Sequence, residues 1–160
     1  MLHASGFIGS TTQFQENGKE KFTDNMDYAS GDYRVLVVHH HPGTLHMMAA
    51  MFRKLGYQVA AAFDSTKALL YFRRIPCDLL FTDLEMPVLS GYHLARLIKK
   101  HHPHAKAVAV TFRCQVEVVE LMRDGIIDGW LFEPFKAKEL KDILADIGLP
   151  AAHHTCSRKD

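Results

Sequence analysis

The stretch that decides the fold is residues 78–91, which read DLLFTDLEMPVLSG. The run between Asp78 and Asp83 is short and almost wholly apolar, which is typical of a strand buried on both faces of a parallel sheet. Pro87 and Gly91 then favour a loop. The stretch therefore predicts a buried strand, an aspartate at its carboxyl end, and a loop that leads into a helix.

Similar apolar runs occur on both sides of this stretch, and segments with a helical period separate them. The predicted strands are residues 33–38, 57–61, 78–83, 107–111 and 129–132, and an amphipathic helix follows each one. Strands that alternate with helices in this way are joined by right-handed crossovers. The pattern therefore predicts an α/β domain with a five-stranded parallel sheet covered by helices on both faces.

The two ends of the chain lack this pattern. Residues 1–32 are polar and show no sustained apolar period, and residues 149–160 are similar. Segments of this kind bury too little apolar surface to fold by themselves. We therefore expect a flexible leader over residues 1–32, one domain over residues 33–148, and a flexible tail over residues 149–160.

The composition argues against several classes of protein. The 160 residues carry a formal net charge of +1, whereas dedicated nucleic-acid binders usually carry a strong basic excess. No apolar run approaches the roughly 20 residues that a membrane helix needs, and no secretory signal is present. The three cysteines form no CxxC pair. We expect a cytoplasmic protein that binds neither nucleic acid nor a membrane, and that is not an enzyme because no nucleophile–base–acid triad is visible.

Polar side chains stand at the predicted carboxyl ends of four strands. They are His39 with His40, Asp83, Thr111 and Glu133. Any one of them, taken singly, is more often a solvated loop residue than part of a site. Doubly wound sheets bind ligands at this edge, however, so the four ends are expected to converge on one crevice.

Several segments, in this order along the chain, resemble the receiver domain of two-component response regulators. They are residues 35–38 before a polar triplet and Pro42, residues 78–87 with Ser90 and Gly91, residues 108–111, and residues 129–135. The resemblance implies a flavodoxin-like fold, in which a doubly wound five-stranded parallel sheet has the strand order 2-1-3-4-5 and carries five helices.

The resemblance also implies roles for single residues. Asp83 matches the aspartate that accepts a phosphoryl group from a histidine of a partner kinase, and Thr111 matches the hydroxyl that hydrogen-bonds this group. Trp130 matches the aromatic residue that swings inward when the hydroxyl moves, and Pro134 matches a proline that usually follows a cis peptide bond. The implied partners are a histidine kinase, a histidine phosphotransfer protein or another signalling protein, or a second copy bound through the fourth helix, fifth strand and fifth helix.

Two positions depart from the family pattern. Where His39 and His40 stand, the family has an acidic pair that holds Mg²⁺ together with the acceptor aspartate, and imidazole is a poor replacement for the oxygen ligands of this ion. Glu133 stands where the family has a lysine that contacts the phosphoryl group. Like charges about 4 Å apart repel by about 4 kcal/mol at an effective dielectric constant near 20, so Glu133 disfavours a phosphoryl group on Asp83.

Three functions remain open on this sequence. The chain is an atypical receiver in which Asp83 is still the phosphoacceptor, or a pseudo-receiver that binds proteins without phosphorylation. In the third hypothesis, a transition metal such as zinc, nickel or copper binds to four side chains: His39, His40, Asp83 and Glu133. Neighbouring residues of a strand point to opposite faces, so joint ligation by the two histidines requires the strand end to turn.

Overall fold

The computed structural model describes residues 33–112 and 115–150, without the side chains of residues 115–117. The predicted leader and the tail beyond Pro150 lie outside the described residues. The elements are β1 Arg34–Val38, α1 Pro42–Lys54, β2 Gln58–Ala62, α2 Ser65–Arg74, β3 Leu79–Asp83, α3 Gly91–His101, β4 Lys106–Thr111, α4 Gln115–Met122, β5 Gly129–Phe132 and α5 Ala137–Asp146. None of these helices is long and apolar enough to cross a membrane.

The five strands form one parallel sheet in the order β2-β1-β3-β4-β5. This order confirms the flavodoxin-like doubly wound fold. Val35 of β1 pairs with Val59 on one side and with Leu79 on the other, so β1 and β3 lie inside the sheet. All strands run the same way, and their carboxyl ends therefore meet at one edge.

Alternate strand residues fill two apolar cores, one on each face of the sheet. In β1, Leu36 and Val38 face the core beneath α2, α3 and α4, which we call the α2–α4 core. Val35 and Val37 face the core beneath α1 and α5, which we call the α1–α5 core. All four side chains are fully buried. Apolar residues on both faces explain why the strands read as continuous apolar runs rather than as alternating ones.

The helices begin in different ways. Asp64 precedes α2 and caps it, because its carboxylate accepts the backbone N–H of Lys67 at 2.7 Å. Lys136 precedes α5 and provides no side-chain cap, but the Glu139 carboxylate accepts the backbone N–H of Lys136 at 2.7 Å. Helix α1 begins at Pro42, which is tolerated in the first turn because proline lacks only an N–H that would have no helical partner there.

The carboxyl-terminal boundary of the packed domain lies later than the sequence predicts. Leu149, which the sequence assigns to a flexible tail, is buried in the α1–α5 core. Gly148 adopts a φ of +83°, and the Leu149 N–H donates to the Leu144 carbonyl at 2.8 Å. The Tyr57 hydroxyl donates to the Leu149 carbonyl oxygen. A glycine cap at the end of α5 thus turns the next apolar residue back onto the core, which a helical period alone does not reveal.

Candidate functional site

Three ionisable side chains project from the same face of the sheet at its carboxyl edge. His39 follows β1, Asp83 ends β3, and Glu133 follows β5. Strand residues two apart share a face. Each of the three continues an alternation that faces the α1–α5 core, through Val35 and Val37, Leu79 and Phe81, and Leu131. The apolar pattern of the strands therefore brings these side chains together.

Asp83 is buried, and both of its carboxylate oxygens accept hydrogen bonds. Oδ1 accepts the backbone N–H of Glu85 at 2.8 Å. Oδ2 accepts the Nδ1–H of His40 and lies 3.9 Å from Nε2 of His39. Donors from the loop after β3 and from the end of β1 therefore fix the orientation of the carboxylate.

His39 is 3% exposed and is hydrogen-bonded at both ring nitrogens. Nδ1 lies 3.0 Å from the backbone nitrogen of His41 and accepts its N–H. A backbone N–H can only donate, so Nδ1 carries no proton and the ring proton lies on Nε2. Nε2 donates to Oε1 of Glu133 at 2.9 Å. The His39 ring is therefore neutral, and it ties the end of β1 to the residue after β5.

His40 covers the outer side of His39. The two rings stack with centroids 5.1 Å apart and planes 11° from parallel. The His40 side chain is 47% exposed, and its Nδ1 carries a proton because its partner, the Asp83 carboxylate, only accepts. Strand β1 ends at Val38, and the bond from the His41 N–H to the His39 ring closes a turn. This turn lets neighbouring histidines reach one crevice, as the sequence required.

The loop between β3 and α3 packs closely on the acceptor strand at Gly91. A Cβ atom at this position would lie 2.1 Å from the Asp83 carbonyl oxygen and 2.9 Å from Thr82 Oγ1. No side chain fits there without moving the backbone of Asp83. The glycine therefore positions the candidate acceptor, a role that the sequence pattern alone does not express.

The other residues matched to the family lie at the same edge or behind it. Thr111 ends β4 and is 1% exposed. Trp130 is the second residue of β5, is partly buried, and packs against the α2–α4 core. The peptide bond between Glu133 and Pro134 is cis, as predicted. The switching roles of Thr111 and Trp130 stay predictions.

Sequence reasoning found the ionisable side chains but missed the backbone donors. The N–H groups of Glu85 and His41 hold Asp83 and His39, respectively. Every residue except proline carries such a group, so no residue type marks it. Only the position of Glu85 two residues after the candidate acceptor could have suggested its N–H.

One ligand-capable atom from each of His39, His40 and Asp83 lies within 4.8 Å of the others, a spacing that could hold a metal ion. The positions of the ring protons of His39 and His40 argue against a bound metal ion. A metal on Nε2 of His39 would need the ring proton on Nδ1, and that nitrogen instead accepts a backbone N–H. Mg²⁺ requires oxygen ligands, and imidazole N–H groups already engage both Asp83 and Glu133. The donor set therefore does not fit Mg²⁺, and its proton arrangement does not favour a transition metal.

Known proteins match most of this domain. The family described as response regulator receiver domain matches residues 35–145, which is more than half of the chain. The sensor histidine kinase RcsC of Salmonella typhi is 29% identical over 123 residues, which cover 77% of this chain but 13% of that protein. The two-component response regulator-like protein APRR5 of Arabidopsis thaliana is 32% identical over 115 residues, which cover 69% of this chain and 20% of that protein. The chain thus spans only a small part of these relatives.

Solved structures agree with this match. The receiver domain of the sensor histidine kinase PA1611 from Pseudomonas aeruginosa, solved with a magnesium ion coordinated in its active site cleft, is 28% identical with a TM-score of 0.64. The match covers 73% of this chain and 98% of that one. The chemotaxis protein CheY4 of Vibrio cholerae, at 22% identity and a TM-score of 0.68 over 72% of this chain and 98% of that one, shares the fold. The chain belongs to the response regulator receiver domain family.

Proposed function

We propose that this receiver domain of two-component signalling is an atypical one, in which Asp83 is the acceptor of a phosphoryl group in a phosphorelay. One observation carries the proposal. Asp83 is a buried carboxylate at the carboxyl end of β3, and the close contact at Gly91 and the Glu85 N–H hold it in place. Thr111 ends the neighbouring strand and is the candidate hydroxyl for the phosphoryl oxygen. We propose an acceptor and binding module rather than an enzyme.

The transfer would proceed from a phosphohistidine of a histidine kinase or a histidine phosphotransfer protein. A carboxylate oxygen of Asp83 would attack phosphorus, a P–O bond would form, and the P–N bond would break, with its electron pair left on the donor imidazole. Phosphoryl transfer depends on positive charge around the group in flight. Glu133 contributes a negative charge at the position of the family lysine, so we expect transfer to be slow relative to other receivers.

A specific observation favours a second candidate function, a pseudo-receiver that binds proteins without phosphorylation. Both oxygens of Asp83 are already hydrogen-bonded within the chain, and Glu133 is bonded to His39. The site is thus satisfied without a phosphoryl group. The exposed apolar residues Val119 on α4 and Phe132 on β5 support protein contacts, including a homodimer through α4, β5 and α5.

Incubation with a small phosphodonor tests the proposal. The protein would be treated with acetyl phosphate, and intact mass spectrometry would look for the addition of one phosphoryl group. We expect an adduct that is lost in Asp83→Asn and kept in Asp146→Asn, a matched control that makes the same substitution at an exposed carboxylate at the end of α5.

The outcomes separate the two candidates. An adduct that persists in Asp83→Asn would contradict the role of Asp83. Absence of any adduct, with acetyl phosphate and also with a phosphorylated histidine phosphotransfer protein, would favour the pseudo-receiver. Sedimentation velocity on the wild type and on Phe132→Ser would then test the proposed homodimer.

A further inference from the structure

We infer that the resting site does not bind a divalent cation, because N–H groups of His39 and His40 already hold the Glu133 and Asp83 carboxylates. The inference concerns what fills the site at rest. It does not depend on whether Asp83 accepts a phosphoryl group, and its test has a different readout.

The first step of the argument is the fixed proton of His39. The backbone N–H of His41 donates to Nδ1 at 3.0 Å, so the only ring proton lies on Nε2. That proton points to Glu133 Oε1 at 2.9 Å. The ring and its acceptor are almost fully buried, with 4% and 9% of their side-chain surfaces exposed. A cation could bind Nε2 only by displacing this proton and breaking a buried hydrogen bond.

The second step is the arrangement at Asp83. Oδ1 accepts the Glu85 N–H, and Oδ2 accepts the His40 Nδ1–H. Each oxygen that would face a hard cation therefore already has a donor. The His40 ring is stacked on His39 and is 47% exposed, whereas the Asp83 side chain that it contacts is 7% exposed. A cation at Oδ2 would therefore have to compete with the His40 N–H for the same oxygen.

The third step concerns which strand ends carry hydrogen-bond donors and which carry acceptors. Residues that can donate protons stand at the end of β1, and a carboxylate stands after β5. In the pattern of the receiver-domain family, the acidic pair stands after β1 and the lysine stands after β5. Both changes are needed together, because Glu133 is the acceptor for His39. The N–H groups of the two histidines thus supply hydrogen bonds to carboxylates at the edge where the family binds a metal ion.

Cation titration of the full chain, followed by ¹H–¹⁵N NMR, tests the inference. The amides of Glu85 and His41 are direct reporters, because they hold Asp83 and His39. We expect no saturable shift of either amide as Mg²⁺ rises to tens of millimolar. A saturable shift of both would overturn the inference.

Zn²⁺ provides a second arm, because imidazole is a good zinc ligand. Shifts confined to exposed histidines such as His101 and His104 would support the inference. Shifts at the Glu85 and His41 amides, with loss of the His39 Nε2–H signal, would establish a zinc site and overturn it.

A reversed site supplies the positive counterpart. The triple variant His39→Asp, His40→Asp, Glu133→Lys restores an acidic pair and a lysine, and we expect Mg²⁺ to shift its Glu85 amide saturably. The matched control His101→Asp, His104→Asp adds two carboxylates near the end of α3, and we expect no shift of that amide. A triple variant that keeps dispersed amide signals and still does not bind Mg²⁺ would contradict the assignment to these three residues. The wild-type titration needs no variant, so the inference stays testable if the triple variant does not fold.

Discussion

At the scale of single residues, His39 links two parts of the site through hydrogen bonds, whereas the sequence suggested it only as a metal ligand. It is buried, its Nδ1 accepts a hydrogen bond from the His41 N–H, and its Nε2–H donates a hydrogen bond to Glu133. A buried carboxylate that loses its donor is left without the hydrogen bond that offsets its burial, and this costs more free energy than the hydrogen bond itself contributes. The stability of the site therefore depends on both partners being present.

A double-mutant cycle on His39→Ala and Glu133→Ala tests this dependence. We expect His39→Ala to lower the free energy of unfolding by about 3 kcal/mol, because the charged Glu133 stays buried without a donor. The double variant should lose less than the sum of the two single variants, with a coupling energy of about 1–3 kcal/mol. Urea unfolding followed by Trp130 fluorescence provides the measurement.

The matched control for this cycle is the exposed pair Lys138 and Asp142, which lie one helical turn apart on α5 with a 2.7 Å contact. We expect no resolvable coupling there, because solvent screens the pair. Strictly additive losses at His39 and Glu133 would mean that their hydrogen bond does not contribute to stability.

The sequence predicted the members of this cluster but not the positions of their protons. Strand period and the carboxyl edge of a parallel sheet were enough to bring His39, Asp83 and Glu133 together. The tautomer of His39 depends on the His41 N–H, and the engagement of Asp83 depends on the Glu85 N–H. The backbone conformation of a turn sets both contacts, and this conformation cannot be inferred from the identities of the side chains.

At the scale of elements, the β3–α3 connection positions the candidate acceptor through backbone contact. Leu84 donates its N–H to the Val110 carbonyl at 3.1 Å, which continues the ladder between β3 and β4 beyond the strand itself. Gly91 then brings the start of α3 against the carbonyl of Asp83. Sequence predicted this element well, because an apolar run, a proline and a glycine each have local structural meanings.

We expect Gly91→Ala to lower the free energy of unfolding by about 3 kcal/mol, because the new methyl group would overlap the Asp83 backbone. The matched control is Gly43→Ala in α1, where an added Cβ meets only the His41 ring at 3.6 Å. This substitution should leave stability unchanged or raise it by about 0.5–1 kcal/mol, since alanine favours a helix over glycine. Thermal unfolding of both variants decides the matter, and equal effects would refute the proposed close contact.

At the scale of the whole molecule, the sheet and its helical layers were predictable because apolar strand runs alternate with helical periods along the entire domain. The carboxyl-terminal end of the domain was less predictable. Leu149 joins the α1–α5 core through a single turn at Gly148, after the helical period has ended. One apolar residue beyond a glycine gives no periodic signal.

The buried thiol of Cys77 reports on the fold as a whole. Burial in the α2–α4 core raises its pKa to about 12. Only the thiolate reacts with disulfide reagents, so the native protein should protect Cys77. In a Cys114→Ser, Cys156→Ser background, we expect a disulfide reagent at pH 8 to label Cys77 only when the folded chain opens. Urea should accelerate this labelling in step with global unfolding.

The sign of the pH dependence follows from the same shift. A thiol whose pKa is higher in the folded chain stabilises that chain below the ordinary pKa near 9, and this stabilisation is lost as pH rises towards 12. Rapid labelling of Cys77 at pH 8 without urea would indicate that the thiol is not enclosed by the core.

The hydrogen bond between His39 and Glu133 also constrains how the site can change in descent. An acidic residue gained at position 39 would remove the donor of the Glu133 carboxylate and add a second carboxylate to the same buried region. A lysine gained at position 133 would remove the acceptor of the His39 proton. Each single substitution towards the family's acidic pair and lysine would leave a buried polar group at position 39 or 133 without its partner. The two positions must therefore change together. Selection for stability would therefore preserve this arrangement in a lineage, whatever later happens to its signalling role.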